Sequence, residues 1–335
     1  MKKFFKTITL FLLFQIIYIP ILAVCLVFYG PFENTKDMIV TTAMTTMSHQ
    51  YFATWFLSDE EIAEILKRNR PQEDIEDQDI NKIEIAEVNT NSTDPKEGIE
   101  IINIEADTYK GYLMIIDDPS RVKLATAPRL GVVGATTSQI VKEYDAIAGI
   151  NAGGFDDDAL GTGGKPSGII IEDGVLKTPD AAAGSHSIVG FDESNRMVIS
   201  YSMTYEEMQE AGLRCAVSFS PVIIINGQPT IYSGNGGWGV QPRTAIAQRQ
   251  DGAVMFLVID GRQADSLGGT LKNVQDILLS YGAYNAFNLD GGASSTMVFD
   301  SKLVNNPSDI MSERYVSSAF IVTKTSQQTT ASNNP

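Results

Sequence analysis

The sequence predicts an α+β fold: a single mixed, strand-rich domain with a few packed helices, preceded by a transmembrane helix and a helical stalk. Three observations lead there. Strand-length apolar or alternating runs recur between residues 99 and 324. Capped helical stretches are fewer and do not alternate regularly with the strands. One long apolar run stands near the N-terminus.

That run comes first. Lys2, Lys3 and Lys6 precede an apolar stretch over residues 8–29, interrupted by Gln15 and Pro20. A helix of roughly 20 such residues crosses the hydrocarbon core of a bilayer. The stretch outruns a signal-peptide core, and no small-residue cleavage site follows it. Leu22-Ala23-Val24-Cys25 faintly matches a lipoprotein processing site, but the apolar run continues past Cys25. Residues 1–32 are therefore expected to be cytoplasmic lysines and an uncleaved signal-anchor. After the span, Glu33, Lys36 and Asp37 nearly cancel, so the positive-inside rule places the rest outside the cytoplasm.

Residues 33–70 read as a helical stalk. Met44, Met47, Tyr51, Trp55 and Phe56 fall near helical spacing, as a packing face or, alternatively, a partner-binding one. Ser58 and Glu61 form a capping box for a helix running to about Asn69. Residues 71–98 carry nine carboxylates against Lys82 and Lys96, the composition of an acidic flexible spacer.

The main domain spans 99–324. Strands are expected at 99–104, 111–116, 169–171, 197–201, 222–225, 253–259 and 283–289, with Asp173-Gly174 and Asp251-Gly252 as hairpin turns. Ser138 can cap a helix running to Tyr144, and Thr204 with Glu207 boxes one that Gly212 ends. A third helix runs from Thr270 to Tyr281, with Val274, Ile277, Leu278 and Tyr281 on one apolar face and Gly282 beyond its end. Residues 325–335, rich in Ser, Thr, Gln and Asn, read as a disordered tail.

Composition narrows the chemistry. A formal net charge of −16 with no basic stripe excludes nucleic acid as a partner. Cys25 and Cys215 are too few for a disulfide framework or a cysteine zinc site, and Cys25 lies in the apolar run. His49 and His186 cannot build a multi-histidine metal centre.

One pattern occurs three times. Apolar strands run into Asn151-Ala152-Gly153-Gly154-Phe155, into Asp260-Gly261-Arg262, and through Asn288-Leu289 into Asp290-Gly291-Gly292-Ala293-Ser294-Ser295-Thr296. A strand end fixes a polar side chain, and glycine lets backbone pass close to a ligand. Ser294, Ser295 and Thr296 offer hydroxyls and amides suited to an oxyanion. A single Asp-Gly is an ordinary turn; three strands ending alike point to a site. Arg243, after Pro242, and Arg262 are candidates for bidentate phosphate binding.

Asn151-Ala152-Gly153-Gly154-Phe155, Pro166-Ser167-Gly168, Pro242-Arg243-Thr244-Ala245-Ile246-Ala247, Asp260-Gly261-Arg262 and Asn288-Leu289-Asp290-Gly291-Gly292, in that order, resemble the phosphodiester glycosidase domain family. The resemblance covers about residues 100–323. Ala247 and Ala293 stand where the family often has glycine, and one phenylalanine follows Gly154 where two are common.

The resemblance implies a hydrolase that cleaves the glycosidic bond of a sugar-1-phosphodiester. In it Asp290 is the base or nucleophile and Asp260 the second carboxylate. Arg243 and Arg262 neutralise the phosphate, while Asn151 and Asn288 bind sugar hydroxyls or orient a carboxylate. Gly153, Gly154, Gly291, Gly292, Ser294, Ser295 and Thr296 line the substrate. His186 is either a proton donor or a hydrogen-bonded loop histidine. Asp156, Asp157 and Asp158 form a solvated acidic loop in preference to a divalent-cation site, so no cofactor is expected. The lysine-led anchor points to a bacterial surface version, and by analogy to wall or capsule glycopolymers as substrate. The alternative is a non-catalytic module that binds polysaccharide or assists exopolysaccharide assembly.

Overall fold

The computed structural model describes residues 2–46, 49–73, 77–86, 94, 96–156, 161–309 and 311–324. The chain divides into two units, one of residues 1–70 with 233–239, the other of 71–232 with 240–335.

The first unit is helical: α1 (Lys2–Tyr29), α2 (Glu33–Met44), α3 (Tyr51–Thr54) and α4 (Asp59–Asn69). Phe4–Tyr29 of α1 is long and apolar enough to cross a membrane. Phe28, Val40, Ala43, Ala53, Leu57, Ile62 and Ile65 form the core, against which Val24 and Val27 also pack. The capping box of α4 is present, with Ser58 and Glu61 bonding reciprocally to each other's backbone. Polar pins complete the unit. Asn69 bridges Asp37 and the amide of Asn235, and Asn235 donates to Thr41 Oγ1 at 2.9 Å.

The second unit contains β1 (Ile99–Glu105), β2 (Lys110–Ile116), β3 (Val122–Thr126), α5 (Thr137–Glu143), β4 (Ala146–Asn151), β5 (Ile170–Glu172) and β6 (Val175–Leu176). Then come β7 (Ser185–Asp192), β8 (Met197–Thr204), α6 (Tyr205–Glu210), β9 (Leu213–Ser218), β10 (Val222–Ile225) and β11 (Gln228–Pro229). It closes with β12 (Arg243–Arg249), β13 (Val254–Ile259), α7 (Leu271–Ser280), β14 (Ala283–Asn288), β15 (Met297–Phe299), β16 (Lys302–Leu303) and β17 (Ser318–Thr323). Three sheets result, ordered β1-β2-β13-β12-β14-β10-β11, β16-β15-β4-β17-β3 and β6-β5-β9-β7-β8. Their apolar faces meet in one core that includes Met114, Ile150, Phe191, Phe256, Phe287 and Phe320.

The α+β expectation holds, with three local corrections. The helix expected from Ser138 starts after Thr136, because Gln139 sits at the third helical position and completes that residue's capping box. Strands β3, β7, β9, β12 and β17 lie outside the runs expected from the sequence. The stretch 71–98 is not free where it is described. Gln78 bonds the backbone of Met197 and Ile199, Glu84 N–H donates to Gln250 O at 2.7 Å, and Ile83 is buried. Ile80, Ile83 and Ile85 and several backbone groups find partners in the folded unit despite the acidic composition.

Register positions the strand ends. β12 lies antiparallel between β13 and β14, pairing Arg243 with Ile259 and Ala245 with Asn288. The strand that begins with Arg243 therefore starts where its two neighbours finish. In the second sheet Asn151 pairs with Ala319 of β17, and Ile150 with Met297 of β15.

Candidate functional site

The two Asp-Gly turns close on one proline. A side chain at Gly261 would come within 2.8 Å of Pro242 N, and one at Gly291 within 2.8 Å of Pro242 O. Gly292 N–H donates to the same carbonyl at 2.9 Å. Only glycine permits both approaches, so the turns after β13 and β14 flank the start of β12.

The arginines follow from this. Arg243 is buried, its Nε donating to Gly269 O at 3.0 Å. Arg262 has φ +59°, a left-handed conformation that a non-glycine residue adopts at an energetic cost. It donates to Gln241 Oε1, and its Nη2 would stand 3.2 Å from a side chain at Gly292. Burial pulls the Arg243 guanidinium down to about 9, and the charge of Arg262 adds to the effect. Arg262 is likewise lowered, by burial and then by Arg314. Arg314, which carried no sequence signal, lies 5.0 Å from the centroid of the Phe155 ring. Arg243 and Arg262 thus lie beside the Gly291-Gly292 turn, and Arg314 is near enough to Arg262 to lower it.

Asn151 ties the second sheet to this turn. Fully buried, it donates from Nδ2 to Asp290 O at 2.6 Å, while its Oδ1 accepts from Thr244 Oγ1 at 2.9 Å and Thr296 N–H at 3.1 Å. Asp290 N–H donates to Ala152 O at 3.0 Å. The backbone of half-buried Asp290 is thereby gripped on both sides. Asn151 thus reaches Asp290 through its backbone carbonyl.

Asp260 is placed differently. Its buried carboxylate accepts from Asn305 Nδ2 at 2.9 Å and from Asn306 N–H at 3.1 Å. Asn305 also donates to Ser295 O and accepts from Met297 N–H, gripping the strand that follows the glycine turn. Burial raises the Asp260 carboxyl above its ordinary value, against the lowering effect of Asn305 and Asn306. Asn305, absent from the sequence-derived set, could be found only through this contact.

Several expected ligand groups have internal duties. Ser294 and Ser295 N–H close a 3-10 turn onto Gly291 and Gly292, and Thr296 N–H serves Asn151, which corrects the expectation that these amides face an oxyanion. All three side chains are buried. Gly153 and Gly154 are glycine because side chains there would meet Val217 at 2.4 Å and Phe219 at 3.0 Å. Asn288, nearly inaccessible, donates to Ser220 O at 2.7 Å. His186 lies on a strand, not a loop; its Nε2 is 2.7 Å from Ala181 O and its ring lies near Gly168. Asp156 pairs with Lys165 and accepts from Ser167, while Asp157 and Asp158 lie outside the described residues. Among the described residues no group of three or more His, Cys, Asp or Glu could hold a metal.

The family model described as phosphodiester glycosidase matches residues 144–323. Among curated proteins, the SPbeta prophage-derived uncharacterized protein YomE of Bacillus subtilis (strain 168) is 32% identical over 182 residues, 52% of this chain and 27% of the relative. N-acetylglucosamine-1-phosphodiester alpha-N-acetylglucosaminidase from Bos taurus is 37% identical over 70 residues, 21% of this chain and 13% of that protein. The chain thus spans only a minor part of these relatives' length. Among solved structures, the zebrafish N-acetylglucosamine-1-phosphodiester alpha-N-acetylglucosaminidase catalytic domain, auto-inhibited by its pro-peptide, superposes with a TM-score of 0.56 at 23% identity, covering 68% of this chain and 82% of that one. A hypothetical protein from Synechocystis gives 0.50 at 14% identity, covering 67% and 61%. At such identities the structural likeness speaks to the fold.

Proposed function

Since the chain belongs to the phosphodiester glycosidase family, we propose that it hydrolyses the glycosidic C–O bond of a sugar-1-phosphodiester. The observation that carries this reading is the closure of both Asp-Gly turns on Pro242, which gathers Arg243 and Arg262 beside the turn that bears Asp290. The arginines hold the phosphodiester. When the C1–O bond breaks, its electron pair leaves with the phosphate oxygen as a stable monoester, so little acid assistance is required, unlike an alkoxide leaving group. Asp290 supplies the base or nucleophile: water adds at C1 and its proton passes to the carboxylate, directly or after a glycosyl-enzyme stage. Asp260 holds the Ser295–Met297 stretch through Asn305, and Asn151 orients Asp290.

The N-terminal helix anchors the chain and the lysine bias faces this domain away from the cytoplasm, so the substrate is a phosphodiester-bearing glycopolymer or glycoconjugate of the cell surface. The test uses the full chain in detergent with a UDP-sugar or p-nitrophenyl-phospho-sugar, run in ¹⁸O-labelled water. Label in the sugar marks C–O cleavage. Label in the phosphate, or binding without turnover, refutes the reading; the latter outcome favours a glycopolymer-binding module.

A further inference from the structure

Beyond α1, the helical unit exposes aromatic rings that its core does not use. Trp55 is 74% exposed and Phe52 48%, with Tyr51 beside them at ring separations of 5.0 and 4.5 Å. Their level along α1 is fixed by their neighbour Phe56. Its ring stacks on Phe28 at 4.8 Å, and its carbonyl accepts from Tyr29 Oη at 2.6 Å. A span beginning near Phe4 leaves the hydrocarbon core after roughly 20 residues, close to Val24. Phe28 and Tyr29 then lie one turn beyond, roughly 6–8 Å further along the axis, at headgroup depth. The last turns of α1 agree with this boundary: Val24, Val27 and Phe28 pack into protein, whereas the preceding side chains are largely exposed.

We propose that Phe52 and Trp55, with Tyr51 beside them, insert into the interfacial layer of the membrane that α1 crosses. They give the helical unit a second lipid contact, which fixes its tilt on the bilayer. Trp and Tyr suit this layer because each joins a large apolar ring to a polar handle. The patch continues the lipid-facing surface of α1 through Tyr29 and Phe32, both more than half exposed. The proposal rests on the membrane-anchor reading above.

The chain has two tryptophans, so Trp238→Phe leaves Trp55 as the only one. Full-length protein carrying that substitution is reconstituted into phosphatidylcholine vesicles and its fluorescence read after flotation. Lipids brominated near the headgroup end of the acyl chain are expected to quench Trp55 at least twofold, and more than lipids brominated near the chain end. Aqueous iodide should quench it at least threefold less than free tryptophan. Protein that floats with its Trp55 open to iodide and insensitive to brominated lipid overturns the insertion and leaves the anchor standing. Shielding from iodide without lipid quenching assigns the patch to a second copy or another protein instead. Failure to float overturns both.

Discussion

Asp260-Gly261 and Asp290-Gly291 are the same dipeptide at the ends of strands that flank β12, and both glycines abut Pro242. Their carboxylates nevertheless inhabit different surroundings. Asp260 is 3% exposed and accepts from Asn305 and Asn306, fixing a neighbouring segment. Asp290 is half-buried, and its backbone is held on both sides, by Asn151 and by Ala152. The comparison teaches that a shared strand-end grammar marks a shared place without dictating the same surroundings. Asp260 lies in the wall beside Asn305, and Asp290 sits on the turn whose backbone Asn151 holds.

The sharpest way to break this contrast is to neutralise each carboxylate in turn. Asp290→Asn keeps the shape and the backbone bonds to Asn151 and Ala152. Its turnover should fall by about 10³-fold, or ~4 kcal/mol of barrier. Unchanged turnover on the phosphodiester substrate would remove Asp290 from the chemistry. Asp260→Ala, by contrast, leaves the Asn306 amide without its acceptor and loosens Asn305. Urea unfolding should register a loss of about 2–3 kcal/mol, and Asn305→Ala should reproduce part of it. Should Asp260→Ala retain full stability yet lose all turnover, Asp260 is a reacting group and the contrast collapses.

How much of this was legible follows the same division between local and distant causes. The capping boxes at Ser58 and Thr204 and the helix opened by Thr270 are decided within four residues, and the structure has all three where the sequence puts them. Strand β10 was likewise readable, as a short apolar run between turn signals. Strand β17 was not. Its state depends on pairing with β3 and β4, far back in the chain, and no short window contains those partners. The site divides similarly. Asn151, Arg243, Asp260 and Asp290 stood out because glycine or proline beside each announced a constrained backbone. Arg314 has no such neighbour and Asn305 ends no apolar strand, and only tertiary contact with Phe155 and Asp260 gives them meaning. The amides of Ser294 to Thr296 misled for the same reason, since a hydrogen-bond donor read from sequence does not disclose that the fold already uses it.

Arg262 sharpens the comparison from the ligand side. Its left-handed φ suggests that backbone energy is given up to aim a guanidinium at the glycine turn. Arg262→Gly relieves that conformation and removes the charge, whereas Arg262→Ala removes the charge and keeps the strain. Both should raise KM for the phosphodiester by about tenfold, ~1.4 kcal/mol. The glycine variant should melt higher than the alanine one. Equal melting temperatures would show that the conformation costs nothing, and an unchanged KM would take Arg262 out of phosphate binding.

The smallest effect is the titration of Asp260. Burial raises its carboxyl above the ordinary 3.8, although Asn305 and Asn306 pull the other way. Between the unfolded value and the raised native one, the folded protein holds a proton that the unfolded chain has released. Stability from this group is therefore complete below the unfolded value and declines as pH rises through the native one, opposite to a salt-bridged carboxylate. Asp260→Asn does not titrate, so the difference in unfolding free energy between wild type and variant isolates the slope, whatever constant offset the substitution adds. That difference, measured in urea from pH 3.5 to 6.5, should shift against wild type as pH increases. A shift in wild type's favour would mean that the hydrogen bonds from Asn305 and Asn306 outweigh burial. The carboxylate would then be a stabilised anion in a polar pocket, and its environment would no longer differ from that expected of a presented catalytic group.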